Sequence, residues 1–513
     1  MEATRTGVGS WPQGRRSVSR RLGNQVRLPV VRENPHQPFK NVDGRSCCYA
    51  CLRFLQFPRS FCFSPEYSVM VASRGDASQG IVAAINHELS TLGMSTSEHE
   101  SGTGRVILAG LIGNVMEWYD FAVYGYLATV IGKQFFPSDE PTVSLIAAFG
   151  AFAAGFLVRP LGGLVFGRIG DVLGRQHAMI FSVLAMAIPT VLMGLLPTYE
   201  TVGIAAPVMI VLLRIIQGLS VGGEYTSSLV FLVEHAKPDR RARTAIWGVW
   251  GATAGILLGS GVGAATTAIL SPEQLAAWGW RLPFLMGAFV AFTGYLVRHG
   301  IHAPEIKATS KRPVRDTFGK HRWSVVRVAL LNAGLGVGFY SAFVYSVTYI
   351  QTVDNLPESL ALDLNTGCMV LLLLILPLFA WLADLYGRKP MLVGGSAILT
   401  LGAIPFFHLM HSVDTFQIFL GECGFVLGVG MLSAGVAAGN VELMPSSIRC
   451  TGLAFSYNAS IGLMGGTTPL ISAWLIAETG DPISPGYWVA AASLVSLVTA
   501  AFLVHETRHQ SLA

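Results

Sequence analysis

Two carboxylates stand three positions apart in an otherwise apolar stretch, Glu117 and Asp120, and Asn114 and Tyr124 continue the series. At about 100° per residue the four side chains lie on one side of a helix. Two carboxyl groups this close resist ionising together, and burial disfavours the charged form further, so one can hold a proton near neutral pH. We therefore predict sites of proton uptake and release at Glu117 and Asp120, and substrate contacts at Asn114 and Tyr124. The alternative is that one acid only caps a helix or pairs with a basic neighbour.

Two arginines lie equally deep in apolar stretches, Arg159 and Arg214, and Glu224 follows ten residues after the second. An ionisable side chain at bilayer depth costs at least about 2.5 kcal/mol, so each requires a reason. A guanidinium matches a carboxylate in a bidentate manner, which predicts a substrate carboxylate at either arginine. Each could equally be the counter-ion of Glu117 or Asp120. Glu224 is a third candidate proton site.

Two further features stand near these groups. Tyr225, directly after Glu224, is predicted to join an aromatic wall around the substrate, together with Trp118, Tyr119, Phe121 and Tyr124. The alternative is that these aromatic side chains only pack in the core. Glu422 lies close to the end of its apolar stretch and is interpreted as a surface acid.

A pattern of glycine and charge occurs twice. The first copy, Gly-x-x-x-Asp-x-x-Gly-Arg, comprises Gly167, Asp171, Gly174 and Arg175. The second has Ala380 in place of the first glycine and then keeps Asp384, Gly387 and Arg388. A Glu…Arg pair also occurs twice, as Glu234 with Arg241 and as Glu442 with Arg449. The repeat, at about 210 residues, indicates two homologous halves with a substrate site between them near the bilayer midplane.

The elements that carry these residues follow from composition. Hydrophobic residues make up 52% of the 513 residues and charged ones 13%, with a mean hydropathy of +0.52. A soluble domain has about 25% charged residues, so the chain is a polytopic membrane protein. Apolar stretches of about 20 residues, enough to cross a bilayer as helix, recur twelve times. They are 106–132, 142–167, 177–197, 205–233, 244–270, 280–298, 326–351, 365–385, 390–410, 415–441, 450–477 and 486–504.

The predicted fold is therefore an all-α membrane protein with twelve transmembrane helices in two halves of six. The first half is assigned to 94–300, the central loop to 301–325 and the second half to 326–513. Nearly all loop arginines and lysines fall on one side, with only Lys133 and Arg281 on the other. By the positive-inside rule both termini are cytoplasmic, and the inner (plasma) membrane is the expected location.

Residues 1–93 differ from the rest, with 12 Lys+Arg against 6 Asp+Glu and no apolar stretch of membrane length. No apolar segment follows the arginines as in a secretory signal. A single Cys48…Cys51 pair is weak evidence for a metal, and no metal site is predicted. We interpret the segment as a disordered extension, or as sequence upstream of a true start at Met94.

Together these residues resemble the major facilitator superfamily, and more specifically its metabolite:proton symporter family. The likeness rests on the duplicated loop pattern and on three motifs within apolar stretches. These are Gly113-Asn114-Val-Met-Glu117-Trp118-Tyr119-Asp120-Phe121, Val158-Arg159-Pro160-Leu-Gly162-Gly163 and Gly218-x-x-x-Gly222-Gly223-Glu224-Tyr225. The resemblance implies the major facilitator fold, alternating access and a loop that latches the outward-facing state. Carriers of proline, betaine, α-ketoglutarate and shikimate belong to that family.

The expected function is proton-coupled import of a small osmolyte or organic acid. The near balance of deep acids and arginines favours a zwitterion. A drug or metabolite:proton antiporter and a transporter-like receptor remain alternatives. HExxH matches once, at 505–509 after the last apolar stretch, and GxSxG matches once, at 218–222 inside an apolar helical stretch rather than at a strand-to-helix turn. Neither context is that of a catalytic motif, and no GxxxxGK[ST] occurs, so neither an enzyme nor ATP-driven transport is expected. The expected partners are substrate, proton and bilayer, with no nucleic acid, no cofactor other than the coupling proton, and a monomeric state.

Overall fold

A computed structural model describes residues 97–299 and 312–512, and this part of the chain is almost entirely helical. The predicted extension 1–93 and residues 300–311 of the predicted central loop lie outside the described residues. Eleven of the described helices are long and apolar enough to cross a membrane. A 19-residue helix, Arg281–His299, occupies the place of the sixth predicted span.

The helices of the first half are numbered here as spans one to six. Span one ends at Tyr126 and a short helix, Ala128–Phe135, follows it, so the predicted span 106–132 is broken at Leu127. The six spans are Ser97–Tyr126, Pro141–Val172, Arg175–Leu195, Ala205–His235, Arg241–Ile269 and Arg281–His299.

In the second half, short helix Pro313–Phe318 precedes spans seven to twelve. Spans seven, eleven and twelve contain π-helical turns, at Ser341–Tyr345, Ile461–Gly465 and Thr499–Leu503. The spans are 322–352, Glu358–Tyr386, Arg388–Met410, Thr415–Glu442, 449–479 and 484–503.

Glycine lets span five lie directly on span one. A Cβ added at Gly251 would stand 2.7 Å from the carbonyl oxygen of Leu111, and Gly255 and Gly259 meet the backbone of span one in the same way. Such close approach lets helix backbones make dispersion contacts without a large side chain between them. Span one is thereby held with its polar residues turned towards spans two to four.

The two halves meet through repeat-related helices. Span two packs against span eleven, and span eight, its counterpart, packs against span five. At Gly167, a Cβ would lie 2.6 Å from the Cα of Thr451, which explains why the first loop motif begins with glycine. Both contacts lie at the end of the bundle that carries the two loop motifs, and that end is closed.

Candidate functional site

Asp171 joins the end of span two to the start of span eleven. Its carboxylate accepts hydrogen bonds from the backbone N–H groups of Cys450 (3.0 Å) and Thr451 (2.8 Å) and from the Thr451 hydroxyl (2.7 Å). The first N–H groups of a helix lack partners within the helix and carry partial positive charge. A carboxylate from the first half thus caps a helix of the second half.

Asp384 makes the reciprocal connection. It accepts hydrogen bonds from the backbone N–H groups of Ala242 and Arg243, both at 3.0 Å, where span five begins. Each half therefore supplies one aspartate to a helix N-terminus of the other half.

Ion pairs surround both aspartates. Glu234 forms ion pairs with Arg175 of its own half (3.0 Å) and with Arg449 of the other half (2.8 Å). The repeat-related set is Glu442 with Arg388 (3.1 Å) and Arg241 (3.4 Å). All eight side chains are largely buried. We call these eight residues the latch, and the structure brings together every charged residue that the sequence assigned to the gating loop.

The last glycine of each loop motif has a conformational reason. Gly174 and Gly387 begin spans three and nine with φ of 102° and 113°, a region that side chains with a Cβ strongly disfavour. The turn places the following Arg175 and Arg388 against the glutamates of the latch.

Asp120 and Arg214 form a fully buried ion pair, with 2.7 Å between Oδ2 and Nη1. Gln217 accepts from Arg214 (2.8 Å) and donates to Asp120 (3.1 Å). The Tyr124 ring lies 3.8 Å from the guanidinium carbon, and its hydroxyl donates to the carbonyl of Ala148. The sequence left two roles open for Arg214, a site for a substrate carboxylate or a counter-ion of an acid in span one. The observed contacts are those of a counter-ion of Asp120.

Asn114 lies between spans one and four rather than in a cavity. Its amide donates to Gly110 O and to Ser228 Oγ, both at 2.8 Å. The second half repeats the device, because the Asn332 amide donates to Asn440 at 3.2 Å. The paired asparagines were not recognised in the sequence as a third repeat, since the surrounding residues differ.

Arg159 has a different environment from Arg214. Its side chain is buried against three rings, with the guanidinium carbon 3.7 Å from the ring centre of Phe156, 4.6 Å from Phe121 and 5.9 Å from Trp118. Among the described residues, Nε and Nη2 have no hydrogen-bond partner. Glu117 interacts with it electrostatically. The guanidinium thus keeps unused donors.

Glu117 interacts electrostatically with both Arg159 and Glu224. Glu117 is 1% exposed, and its Oε2 has no hydrogen-bond partner among the described residues. Glu224 accepts a hydrogen bond from the Ser182 hydroxyl of span three and interacts electrostatically with Glu117. The deep acids therefore divide into Asp120, which is paired with Arg214, and Glu117 and Glu224, which interact with each other.

A central cavity lies between the halves and is lined by residues of both. Five of its twelve lining residues are aromatic, and none carries a formal charge. The lining residues are Trp118, Tyr225, Val249, Ala252, Thr253, Leu335, Gly336, Phe339, Tyr340, Ser433, Tyr457 and Ile461.

The cavity includes Tyr225 and Trp118, which the sequence placed near the substrate. Its lining does not include the other predicted substrate contacts, Asn114, Tyr119, Phe121 and Tyr124. Sequence reasoning missed Phe339, Tyr340 and Tyr457. Tyr225 and Tyr457 stack across the two halves with ring centres 4.7 Å apart. The signal that could have found the second-half residues is the repeat itself, because Phe339 stands seven residues after Asn332 as Phe121 does after Asn114.

Two homologous six-helix halves with a cavity between them and a charged latch at one end define a secondary transporter of the major facilitator class. The chain belongs to the sugar (and other) transporter family, whose sequence model matches residues 106–305 and 298–513. The resemblance inferred from the motifs is thereby confirmed. The protein is a multi-pass membrane transporter of small molecules and not an enzyme.

Several curated relatives are similar over most of the chain. The glycine betaine/proline/ectoine/pipecolic acid transporter OusA of Dickeya dadantii is 32% identical over 424 residues, covering 80% of this chain and 84% of the relative. The proline/betaine transporter of Salmonella typhimurium is 32% identical over 425 residues, with coverages of 80% and 85%. A putative proline/betaine transporter of Staphylococcus aureus is 33% identical over 422 residues, with coverages of 80% and 90%.

Solved structures agree on the fold. The proton:xylose symporter XylE bound to 6-bromo-6-deoxy-D-glucose superposes with a TM-score of 0.66 at 17% identity, covering 81% of this chain and 98% of that one. FucP in its outward conformation gives a TM-score of 0.57 at 17% identity, with coverages of 78% and 99%.

Proposed function

We propose that this protein imports a small zwitterionic osmolyte of the proline or betaine type together with a proton. The observation that carries the proposal is Arg159, a buried guanidinium with unused donors beside the central cavity. The names of the curated relatives support the substrate class.

The substrate carboxylate binds Arg159. An unpaired cation in a water-poor interior is unfavourable, and ring contacts compensate only part of the lost hydration. A carboxylate can accept from Nε and Nη2 together, which is the bidentate geometry that arginine favours. Arg214 also has no described hydrogen-bond partner at Nε and Nη2, but it is less suited to this role because Asp120 already neutralises its charge.

Glu117 couples the proton to the substrate. In the empty site, Arg159 is the positive group that favours an ionised Glu117. A bound carboxylate neutralises Arg159 and adds a negative charge nearby, so Glu117 then favours its protonated form. Substrate and proton therefore bind together, and Glu224 is positioned to exchange the proton with Glu117.

The energetics suit accumulation of a solute without net charge. Carrying one proton inward with a zwitterion moves one positive charge, which is worth about 2.3 kcal/mol per 100 mV. At about 1.4 kcal/mol for each factor of ten, this supports roughly fifty-fold accumulation.

The latch closes the cytoplasmic side during substrate capture. The positive-inside distribution supports placing the latch and both termini on the cytoplasmic face of the plasma membrane. Release then requires separating both aspartates from the helix N-termini of the opposite half. We expect the protein to do this as a monomer, since substrate site and latch are completed within one chain.

Uptake of radiolabelled betaine and proline into proteoliposomes tests the proposal. We expect an inward proton gradient to drive uptake and a protonophore to abolish it. Arg159→Gln should lose substrate binding, whereas Lys133→Gln, which removes an exposed cation, should keep it. Uptake driven equally well by sodium at clamped pH, or unchanged betaine affinity in Arg159→Gln, would contradict the proposal. Substrate binding without counterflow would instead indicate a receptor.

A further inference from the structure

The aromatic wall of the central cavity points to the chemistry of the group that it holds. We propose that the cavity binds the substrate's ammonium group through cation–π contacts and selects a fully alkylated nitrogen over a primary amine. This inference rests on the proposed function, because it assumes that the substrate carboxylate occupies Arg159. It adds an independent site for the other end of the zwitterion.

The rings of the wall come from both halves. Trp118 of span one lies edge-on to Phe339 of span seven, with ring centres 6.2 Å apart. Phe339 is 5.9 Å from Tyr340, and the stacked pair of Tyr225 and Tyr457 completes the wall. A cation among these rings meets several negative ring faces at once.

The wall offers no carboxylate to a cation. Its polar contribution is limited to tyrosine hydroxyls, Thr253 and Ser433. A primary ammonium has three N–H donors that lose water on entry and require acceptors. A trimethylammonium group has no N–H donor, and aromatic cages are a known means of recognising it. The cavity therefore favours nitrogen whose hydrogens are replaced by alkyl groups.

The anion and cation sites share their boundary. Trp118 lines the cavity and also lies 5.9 Å from the guanidinium of Arg159. Tyr340 lines the cavity and lies 6.4 Å from Phe156, the ring closest to Arg159. A compact zwitterion whose charged groups are separated by one carbon can bind Arg159 and the aromatic wall at the same time.

A shape-matched pair of ligands tests this. Glycine betaine and 3,3-dimethylbutanoate share a carboxylate and a branched head group, but only betaine carries the positive nitrogen. Dissociation constants are measured by isothermal titration calorimetry on the purified full chain. We expect betaine to bind at least tenfold more tightly than its carbon analogue, and affinity to rise through glycine, N-methylglycine, N,N-dimethylglycine and betaine.

Wall variants separate cation–π attraction from the overall charge of the ligand. Trp118→Leu and Phe339→Leu should each reduce the betaine preference at least threefold, while Trp118→Phe keeps most of it. The matched control is Trp250→Leu, because Trp250 packs on Trp247 and does not line the cavity.

The outcomes are distinguishable. Equal binding of betaine and 3,3-dimethylbutanoate, glycine binding as tightly as betaine, or an unchanged preference in both leucine variants would overturn the aromatic site while leaving the Arg159 site intact. If neither ligand binds, or both bind Arg159→Gln normally, the proposed function itself fails. Variants that do not fold are identified by size-exclusion chromatography, and Trp118→Phe with the methylation series then decides.

Discussion

Asp120 of span one and Arg214 of span four are joined at 2.7 Å with neither side chain exposed by more than 1%. The pair divides the polar stripe of span one into two parts with different chemistry. Asp120 is neutralised in place, whereas Glu117, one turn earlier, shares the surroundings of Arg159. We therefore propose that Glu117 carries the proton, whereas the Asp120–Arg214 ion pair joins spans one and four.

The first prediction concerns that pair. Asp120→Asn leaves the Arg214 guanidinium buried without its counter-charge, and breaking a buried pair in this way costs about 3–5 kcal/mol. We expect a large fall in the thermal unfolding temperature of the detergent-solubilised protein. The double variant Asp120→Asn with Arg214→Gln should recover part of the loss. A double variant less stable than either single one would show that the two residues act separately.

The second prediction concerns the latch. Asp171→Asn removes the charge that caps span eleven, and hydrogen bonds to charged groups contribute about 1.5–3 kcal/mol. The equilibrium between the two access states should shift by about tenfold or more, as followed by distance measurements between spin labels on the two halves. Asp384→Asn should behave alike because its contacts are reciprocal.

The control for the latch is Asp239→Asn, since Asp239 is exposed and pairs only with neighbouring Arg240 at 3.5 Å in the contacts seen here. It should leave both transport and the distance distribution unchanged. Substrate affinity should also survive in Asp171→Asn. Loss of binding with normal turnover would contradict the assignment.

The third prediction uses the segment after span twelve. Glu506 accepts hydrogen bonds from the backbone N–H groups of Arg388 (2.9 Å) and Lys389 (3.0 Å), where span nine begins. Partial burial raises the pKa of Glu506, but these bonds and those from Arg508 and Thr507 outweigh it, so the pKa lies below its usual value.

A lowered pKa in the folded state gives a stabilisation that is complete above the unfolded value of about 4.3 and is lost as pH falls through the folded value. A fluorophore placed at His509 should therefore report a docked segment at neutral pH and a released one in strong acid. Glu506→Gln should release it already at neutral pH. A segment that stays docked in the variant would mean that Thr507 and Gln510, which bond to Glu442 and Arg241, suffice.

The fourth prediction concerns Glu422, which the sequence interpretation placed at the surface. That interpretation is wrong, because the side chain is 0% exposed. Its polar neighbours are Cys368 of span eight and Ser346 of span seven. No described arginine, lysine or histidine forms an ion pair with it, so we expect a neutral carboxylic acid. Glu422→Gln should keep the stability within about 1 kcal/mol, whereas Glu422→Lys should prevent folding. A hydrophobic carbodiimide should label Glu422 in the wild type, and strong destabilisation by glutamine would contradict a neutral acid.

Sequence reasoning reached the fold because length, hydropathy and the duplicated loop pattern each depend on local sequence. The duplicated loop pattern also assigned both Asp171 and Asp384 to the gating loop. In the structure each aspartate bonds to a helix of the opposite half. Glu422 was misplaced because depth along a helix does not tell which face is covered. Span seven covers that face of span ten through Ser346, a contact between residues 76 positions apart.

The deep arginines show the same limit. Periodicity put Asp120 and Glu117 on one side of span one but could not tell which of them Arg214 would reach. That depends on how far span four is shifted along span one. The aromatic residues of spans seven and eleven were missed since aromatic side chains are common in membrane helices and only the packed halves place them at one cavity.

The reciprocal latch is the arrangement found in twofold dimers, where the same surface patch on each subunit receives the other. Asp171 and Asp384 make equivalent contacts to opposite halves. The salt bridges of Glu234 and Glu442 are equivalent in the same way. Each half therefore contains the residues that contact the other half. Alignment of the halves does not depend on the peptide connection near residue 312. We therefore expect the two halves, made as separate chains in one membrane, to associate through these contacts and to restore transport.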